Sequence, residues 1–121
     1  MKPVGKGRPR STRGGHCYTP ESTRKAEQAI RTHIEQSFSG ALFCGPLEMT
    51  IIAYFKRPKK SQTKYGANHP TKKPDIDNIG KLVADSLNHI VYDDDVQVTK
   101  MTIQKEYDTY DHIVISVKET S

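Results

Sequence analysis

Leu47, Met49, Ile51, Ala53 and Phe55 alternate with Glu48, Thr50, Ile52 and Tyr54. A period of two predicts a strand over 47–55 with one buried face. Ahead of it, Ala26, Ile30, Ile34 and Phe38 recur every four residues, the stripe of an amphipathic helix over roughly 20–38. Thr19 supplies its N-cap hydroxyl, Pro20 suits its first position, and Gly40 ends it. A second helix is predicted to begin at Asp75 or Ile76, because Pro74 keeps Lys73 out of helical space and Asp75 is a natural N-cap. At about 100° per residue, Ile76, Ile79, Val83, Leu87 and Ile90 share one arc of about 80° that faces the core. Asp77, Lys81, Asp85 and Asn88 share a polar arc, and Asp85 reads there as a plain solvated residue. Gly80, in the middle, costs the helix about 1 kcal/mol relative to Ala and hints at a close approach.

Two further strands are expected. Residues 96–107 place Thr99, Met101, Ile103 and Tyr107 on one side, and residues 112–118 place Ile113, Ile115 and Val117 inward. With Asp108-Thr109-Tyr110-Asp111 as the turn, they read as a hairpin. Residues 1–18 are basic and extended, with glycines and Pro9 excluding a helix. His16-Cys17-Tyr18 suits the return strand of a hairpin turning at Arg13-Gly14-Gly15. Residues 57–74, rich in Lys, Pro, Gly and Asn, read as a mobile basic loop of functional length. The whole is one α+β domain over 1–121, a small mixed or antiparallel sheet packed with two main helices.

Composition supports this and narrows the function. A chain of 121 residues with 34% hydrophobic content builds one modest core. There is no run of ~18 apolar residues to span a membrane and no apolar segment at the N-terminus to act as a signal. Residence in the cytosol is the expectation. Cys17 and Cys44 are far apart and in no C-x-x-C spacing, so they read as reduced thiols. His33 and His69 lack partners at ligand spacing. No pattern for a small-molecule cofactor stands out.

The net charge is +5 and the isoelectric point about 9.2, but the distribution matters more. Lys6, Arg8, Arg10 and Arg13 crowd the first segment, and Lys56, Arg57, Lys59, Lys60, Lys64, Lys72 and Lys73 fill residues 56–73 without a single acid. From Asp75 onward the balance turns acidic. Two basic blocks around a carboxylate cluster suggest a polyanion steered to a cation site, with Lys6, Arg8, Arg10, Arg13, Lys72 and Lys73 as phosphate contacts.

The carboxylates are Asp75 and Asp77 at the helix start and Asp93-Asp94-Asp95 after its end. A strand running back beside the helix would let both sets meet at one end of the sheet. Hard oxygen ligands alone suit Mg²⁺ or Mn²⁺ rather than zinc. A cation held beside a basic groove activates water against a phosphodiester. Lys81, one turn after Asp77, either offsets charge in the transition state or serves as a structural i,i+4 partner of Asp77.

At Pro74-Asp75-Ile76-Asp77-Asn78-Ile79 with Lys81, Ala84-Asp85-Ser86-Leu87-Asn88 and Asp94-Asp95 with Gln97-Val98, the sequence resembles the RusA family of Holliday junction resolvases. Pro3-Val4-Gly5-Lys6-Gly7-Arg8-Pro9-Arg10 and Tyr18-Thr19-Pro20 add to the likeness. The resemblance implies a RusA-like homodimer that cuts four-way DNA junctions symmetrically in recombination and repair, using Mg²⁺ or Mn²⁺. It implies Asp75, Asp77 and Asp95 as metal-binding catalytic carboxylates, Lys81 as the catalytic lysine and Asp94 as an accessory metal ligand. Asp93 is an extra acid, so which two of the triplet match the family's pair stays open. Family members usually carry an apolar strand ahead of the basic opening, and its absence here would leave one sheet edge bare. The alternative is a junction-binding module without catalysis.

Overall fold

A computed structural model describes residues 10–11, 17–18, 21–58 and 69–120, the first two pairs as backbone. Arg10–Ser11 (β1) pairs antiparallel with Cys17–Tyr18 (β2), Arg10 opposite Tyr18, as the hairpin reading of this segment requires. The predicted turn at Arg13 and the cap at Thr19-Pro20 lie outside the described residues. Glu21–Ser37 (α1) and Leu47–Lys56 (β3) follow the two apolar periodicities closely. Ala26 and Ile30 of α1 are buried, while Leu47, Met49, Ile51 and Ala53 form the buried face of β3. Ile76–Ser86 (α2) starts one residue after Asp75, whose preceding Lys73–Pro74 bond is cis.

Val98–Asp108 (β4) and His112–Glu119 (β5) complete the fold, but not as a hairpin. The order is β4-β3-β5, with β4 parallel and β5 antiparallel to β3 between them. The turn passes over the end of β3 instead of joining neighbours. Its residues supply the reason: the Lys56 amide donates to Asp111 Oδ1 at 2.7 Å, and the Arg57 amide donates to the Asp108 carbonyl at 2.9 Å. Donors that would be orphaned at the strand terminus are thus satisfied by the crossing turn. Expecting β4 to begin at residue 96 was also too early. Asp95–Gln97 form a 3-10 turn, and Val96 is 77% exposed.

α1 and α2 cover one face of the sheet. Ile79, Leu82, Val83 and Leu87 meet the β3 face, whereas Ile76, expected in the core arc, is 45% exposed because it lies at the open end of the helix. Arg31 ties the helices together: its guanidinium donates to the carbonyls of Ser86 at 3.2 Å and Asp85 at 3.4 Å. A cation on the last carbonyls of α2 also opposes the negative end of that helix's dipole. Gly80 explains how α2 lies so close to β4. A Cβ there would stand 2.5 Å from Ile103 Cδ1 and 3.0 Å from Met101 Sδ. The close approach hinted at by the glycine is therefore made by β4 side chains.

Gly80→Ala should gain about 1 kcal/mol of helix propensity and lose about 1–3 kcal/mol to overpacking. The expected net effect is a loss of about 1 kcal/mol in urea unfolding. Ile103→Val removes the clashing methyl, so Gly80→Ala in that background should become neutral or stabilising. Simple additivity of the two changes would contradict this packing account.

Candidate active site

α2 runs antiparallel to β4. Lys72, just ahead of the helix, accepts a hydrogen bond through its carbonyl from Lys105 Nζ, Gly80 lies over Met101 and Ile103, and Asp85 near the helix end faces Asp95 at the start of β4. Asp77 to Asp85 is eight residues, or about 12 Å along the axis. The acids at 75 and 77 and those at 93–95 consequently lie toward opposite ends of α2 and do not meet at one sheet edge. Among the described residues, no three His, Cys, Asp or Glu side chains stand close enough to hold a metal ion in this conformation.

The far corner is built by a buried tyrosine and a capping box. Tyr92 is fully buried, and its hydroxyl donates to the Ala84 carbonyl at 2.6 Å, fixing the chain after α2 against the helix. His89, at φ 67°, makes the reversal, its amide donating to the Tyr92 carbonyl at 2.7 Å. Asp94 then caps the 3-10 turn, accepting from the Val96 amide at 3.1 Å. Gln97 returns the favour: its Oε1 accepts from the amides of Asp93 and Asp94, and its Nε2 donates to the carbonyls of Phe43 and Gly45, each at 3.1 Å. An Asp-x-x-Gln spacing is a capping-box signature, and here it aims the triplet.

The result is that Asp94 and Asp85 are the acidic neighbours of the Asp95 carboxyl. Burial first, and then these two acidic neighbours, push the Asp95 carboxyl up to about 6 from the ordinary 3.8. Asp94 moves the opposite way, held down chiefly by the Val96 amide and then by the hydrogen bond from Asp95. The Tyr92 hydroxyl is pushed up by burial, with the charges of Asp95, Asp85 and Asp94 adding to it. Asp93 points outward, its carboxylate 3.6 Å from His89 Nδ1.

Asp85, read from the helical wheel as solvated, is the residue that sequence reasoning passed over. Its side chain is 22% exposed, and Lys81 Nζ lies 3.8 Å from its Oδ2. Lys81 therefore pairs along the helix with Asp85, one turn ahead, whereas the structural alternative considered for it was Asp77, one turn behind. Asp75 occupies the N-cap without a side-chain capping bond, and Asp77 is exposed in the first turn. Both carboxylates are thus presented outward. Lys72 and Lys73 are exposed just before the helix, whereas Lys6, Arg8 and Arg13 lie outside the described residues and Arg10 is described as strand backbone.

The donor chemistry fits a hard divalent cation better at Asp95 than elsewhere. Asp85 and Asp94 raise the cost of charge on Asp95, which a cation would lower, although the three are not gathered closely enough to hold one in this conformation.

The comparisons with known proteins fit such a stripe of acids and a lysine in a basic α+β chain. A family model described as Endodeoxyribonuclease RusA matches residues 1–118, and the chain belongs to this family, which acts on DNA junctions. The chain is also 33% identical to the uncharacterized protein YqaN of Bacillus subtilis (strain 168), over 131 residues that cover 99% of this chain and 92% of that protein.

Crowding at Asp95 should be visible in stability. A carboxyl whose folded pKa is raised binds its proton more tightly when folded, so it stabilises the fold as pH falls from above 6 toward 3.8 and detracts from it at neutral pH. Asp85→Asn removes one source of the shift. In EDTA its melting temperature should exceed the wild type's at pH 7.5, and the gap should narrow toward pH 4.5. A gap that is absent or reversed at pH 7.5 would show that Asp85 does not press on Asp95.

Proposed function

We propose that this chain is a metal-dependent, structure-selective endodeoxyribonuclease that resolves four-way DNA junctions by paired, symmetric phosphodiester cuts. The observation that carries the reading is the line Asp77-Lys81-Asp85 along α2, closed at one end by Asp95. Membership of an endodeoxyribonuclease family supports it. Asp95, with Asp94 and Asp85 beside it, would hold Mg²⁺ or Mn²⁺, and Asp75 and Asp77 would present further carboxylates at the other end of the same helix face. A divalent cation bound there supplies Lewis-acid polarisation of a phosphoryl oxygen and a more acidic water.

The chain's own residues do the rest. Lys81, exposed between the two acid sets, places a positive charge where the phosphate's non-bridging oxygens would gather negative charge. Its ion pair with Asp85 keeps the ammonium on this face until a phosphate displaces the carboxylate. Lys72 and Lys73 meet the flanking backbone, with the basic opening at Lys6, Arg8, Arg10 and Arg13 as a second phosphate-binding block. A homodimer would supply two equivalent sites related by a two-fold axis, as paired cuts require. Among the described residues, no helix is long and apolar enough to cross a membrane.

One observation favours a second reading, a junction-binding module without catalysis: Asp75 and Asp77 are not gathered with Asp95. Cleavage of a synthetic four-way junction separates the two. Wild type should nick it in Mg²⁺ and not in EDTA. Asp95→Asn and Asp77→Asn should each lose more than about 100-fold in rate, since a held cation is worth several kcal/mol. Lys81→Ala should lose about 100-fold. All three should still bind the junction, with affinity falling steeply as salt rises. Binding without Mg²⁺-dependent nicking by wild type would establish the second reading.

A further inference from the structure

We infer that the same face of the sheet, beyond the N-terminal end of α2, carries a stacking groove for an unpaired nucleotide of the DNA. The inference rests on the DNA reading above and adds where a single-stranded segment is held. Phe55 continues the inward alternation of Leu47, Met49, Ile51 and Ala53, and in the parallel register its partner is Tyr107, as Ala53's is Lys105. Paired residues project to the same side, so Lys105 and Tyr107 share the helix-bearing face. Phe55 and Tyr107 remain only partly buried.

In front of these rings lies a cleft of about 300 Å³, walled by Pro58 and Pro70 and flanked by Lys72 and Lys73. A second cleft of about 420 Å³ shares Tyr107 and Lys56 with it and reaches Arg57. Cations already rest on both rings: the Arg57 guanidinium is 5.1 Å from the Tyr107 centroid and Lys105 Nζ is 5.8 Å from that of Phe55. One acid lines each cleft, Asp111 the first and Asp108 the second, and each has a partner. Asp111 accepts from the Lys56 amide, and Asp108 Oδ2 lies 3.6 Å from His112 Nε2.

Ring faces, proline walls and a guanidinium plane, bordered by exposed Lys56, Lys72 and Lys73, match a nucleotide in two respects. Every base offers a π-face to stack on rings or arginine, and its phosphates offer the complementary charge. An acidic peptide would satisfy the lysines but leave the rings unused. Lys72 and Lys73 lie just ahead of Asp75, with only Pro74 between, so a strand leaving the groove would run onto the face that carries Asp77 and Lys81. The groove thus suits a nucleotide left unpaired beside a branch point.

The test uses the full chain, a fluorescein-labelled oligothymidylate of eight residues and a blunt duplex of equal charge. Tyr107→Leu keeps apolar bulk but loses the ring face. It should weaken oligothymidylate binding by about 5- to 100-fold while changing duplex binding less than about two-fold, and Tyr107→Phe should restore it. The doubly substituted Lys72→Ala, Lys73→Ala protein should lower the salt slope for the oligonucleotide by about 1.4, at about 0.7 per phosphate. In wild type alone, 2-aminopurine placed unpaired at a junction's branch point should be quenched on binding, a measurement that stands even if Tyr107→Leu does not fold. Equal losses on both DNAs, no loss on the oligonucleotide, no quenching, or competition by polyglutamate as strong as by oligothymidylate would overturn the groove and leave the junction reading intact. Failure of wild type to bind either DNA or a junction would overturn both.

Discussion

The seating of α2 across β3 and β4 is the constraint on which the rest of this molecule depends. Ile79, Leu82, Val83 and Leu87 fill the space above Leu47, Met49, Ile51 and Ala53, and the absence of a side chain at Gly80 lets the helix settle onto Met101 and Ile103. Burial of each such side chain is worth about 1.5–3 kcal/mol, so helix and sheet fix one another. Once α2 is placed, its outer face is fixed too. Asp77, Lys81 and Asp85 are then carried at set heights along a rigid rod, and β4 must start near Asp85 and finish near Lys72. A chemistry that needs carboxylates and cations at fixed separations is better built on such an element than on loops.

This seating sets a tension at the acidic corner. Tyr92 pins the chain behind α2 and the Asp94–Gln97 capping box orients the turn, so Asp95 is pressed toward Asp85 by contacts that involve neither carboxylate directly. Such an arrangement does not minimise the free energy of the isolated chain: the raised pKa of Asp95 measures how poorly its negative charge is accommodated. Residues pressed together against their own repulsion are characteristic of sites that meet a counter-charge in use. Asp94, by contrast, is settled by the Val96 amide, which its Oδ1 accepts in capping the turn. Within the triplet, then, Asp95 faces the helix, Asp94 builds the turn, and Asp93 belongs to His89 and solvent.

Much of this was legible in the chain, and what was not has identifiable physical causes. α1, β3 and α2 declared themselves because each buries one stripe, and a stripe is a local pattern. The order β4-β3-β5 was hidden because a turn sequence specifies that the chain reverses, not what lies between the arms. Asp111 looks like any turn acid until its carboxylate is seen to accept the last amide of β3, with the Asp108 carbonyl taking the amide of Arg57 just beyond. Asp85 was passed over for a similar reason. On a helical wheel it is polar beside polar neighbours, and only the tertiary return of the chain makes it a partner of Asp95. The Asp94-x-x-Gln97 spacing is itself a signal that residues 93–97 form a shaped turn and not a solvated run. Ile76 shows the converse failure, an apolar residue on the right arc with no sheet beneath it.

The geometry also bears on how a junction could be handled by one small domain. The anionic end of α2 and the cationic groove ahead of its N-terminus are about one helix length apart, roughly 16 Å for eleven residues. A phosphodiester backbone passing from Lys72 and Lys73 across Lys81 toward Asp95 would meet the lysines first, then the outward carboxylates of Asp75 and Asp77, and the acids about Asp95 last. Approach of a polyanion to that cluster is repulsive unless a cation intervenes, while the lysines favour it at any metal concentration. The lysines ahead of α2 thus attract a polyanion whether or not a cation sits among the acids. Gly80 sits at the midpoint of this path, where the helix touches the sheet most closely. Any shift of α2 on Met101 and Ile103 would move Lys81 and Asp85 together relative to Asp95, which belongs to the other side of that contact.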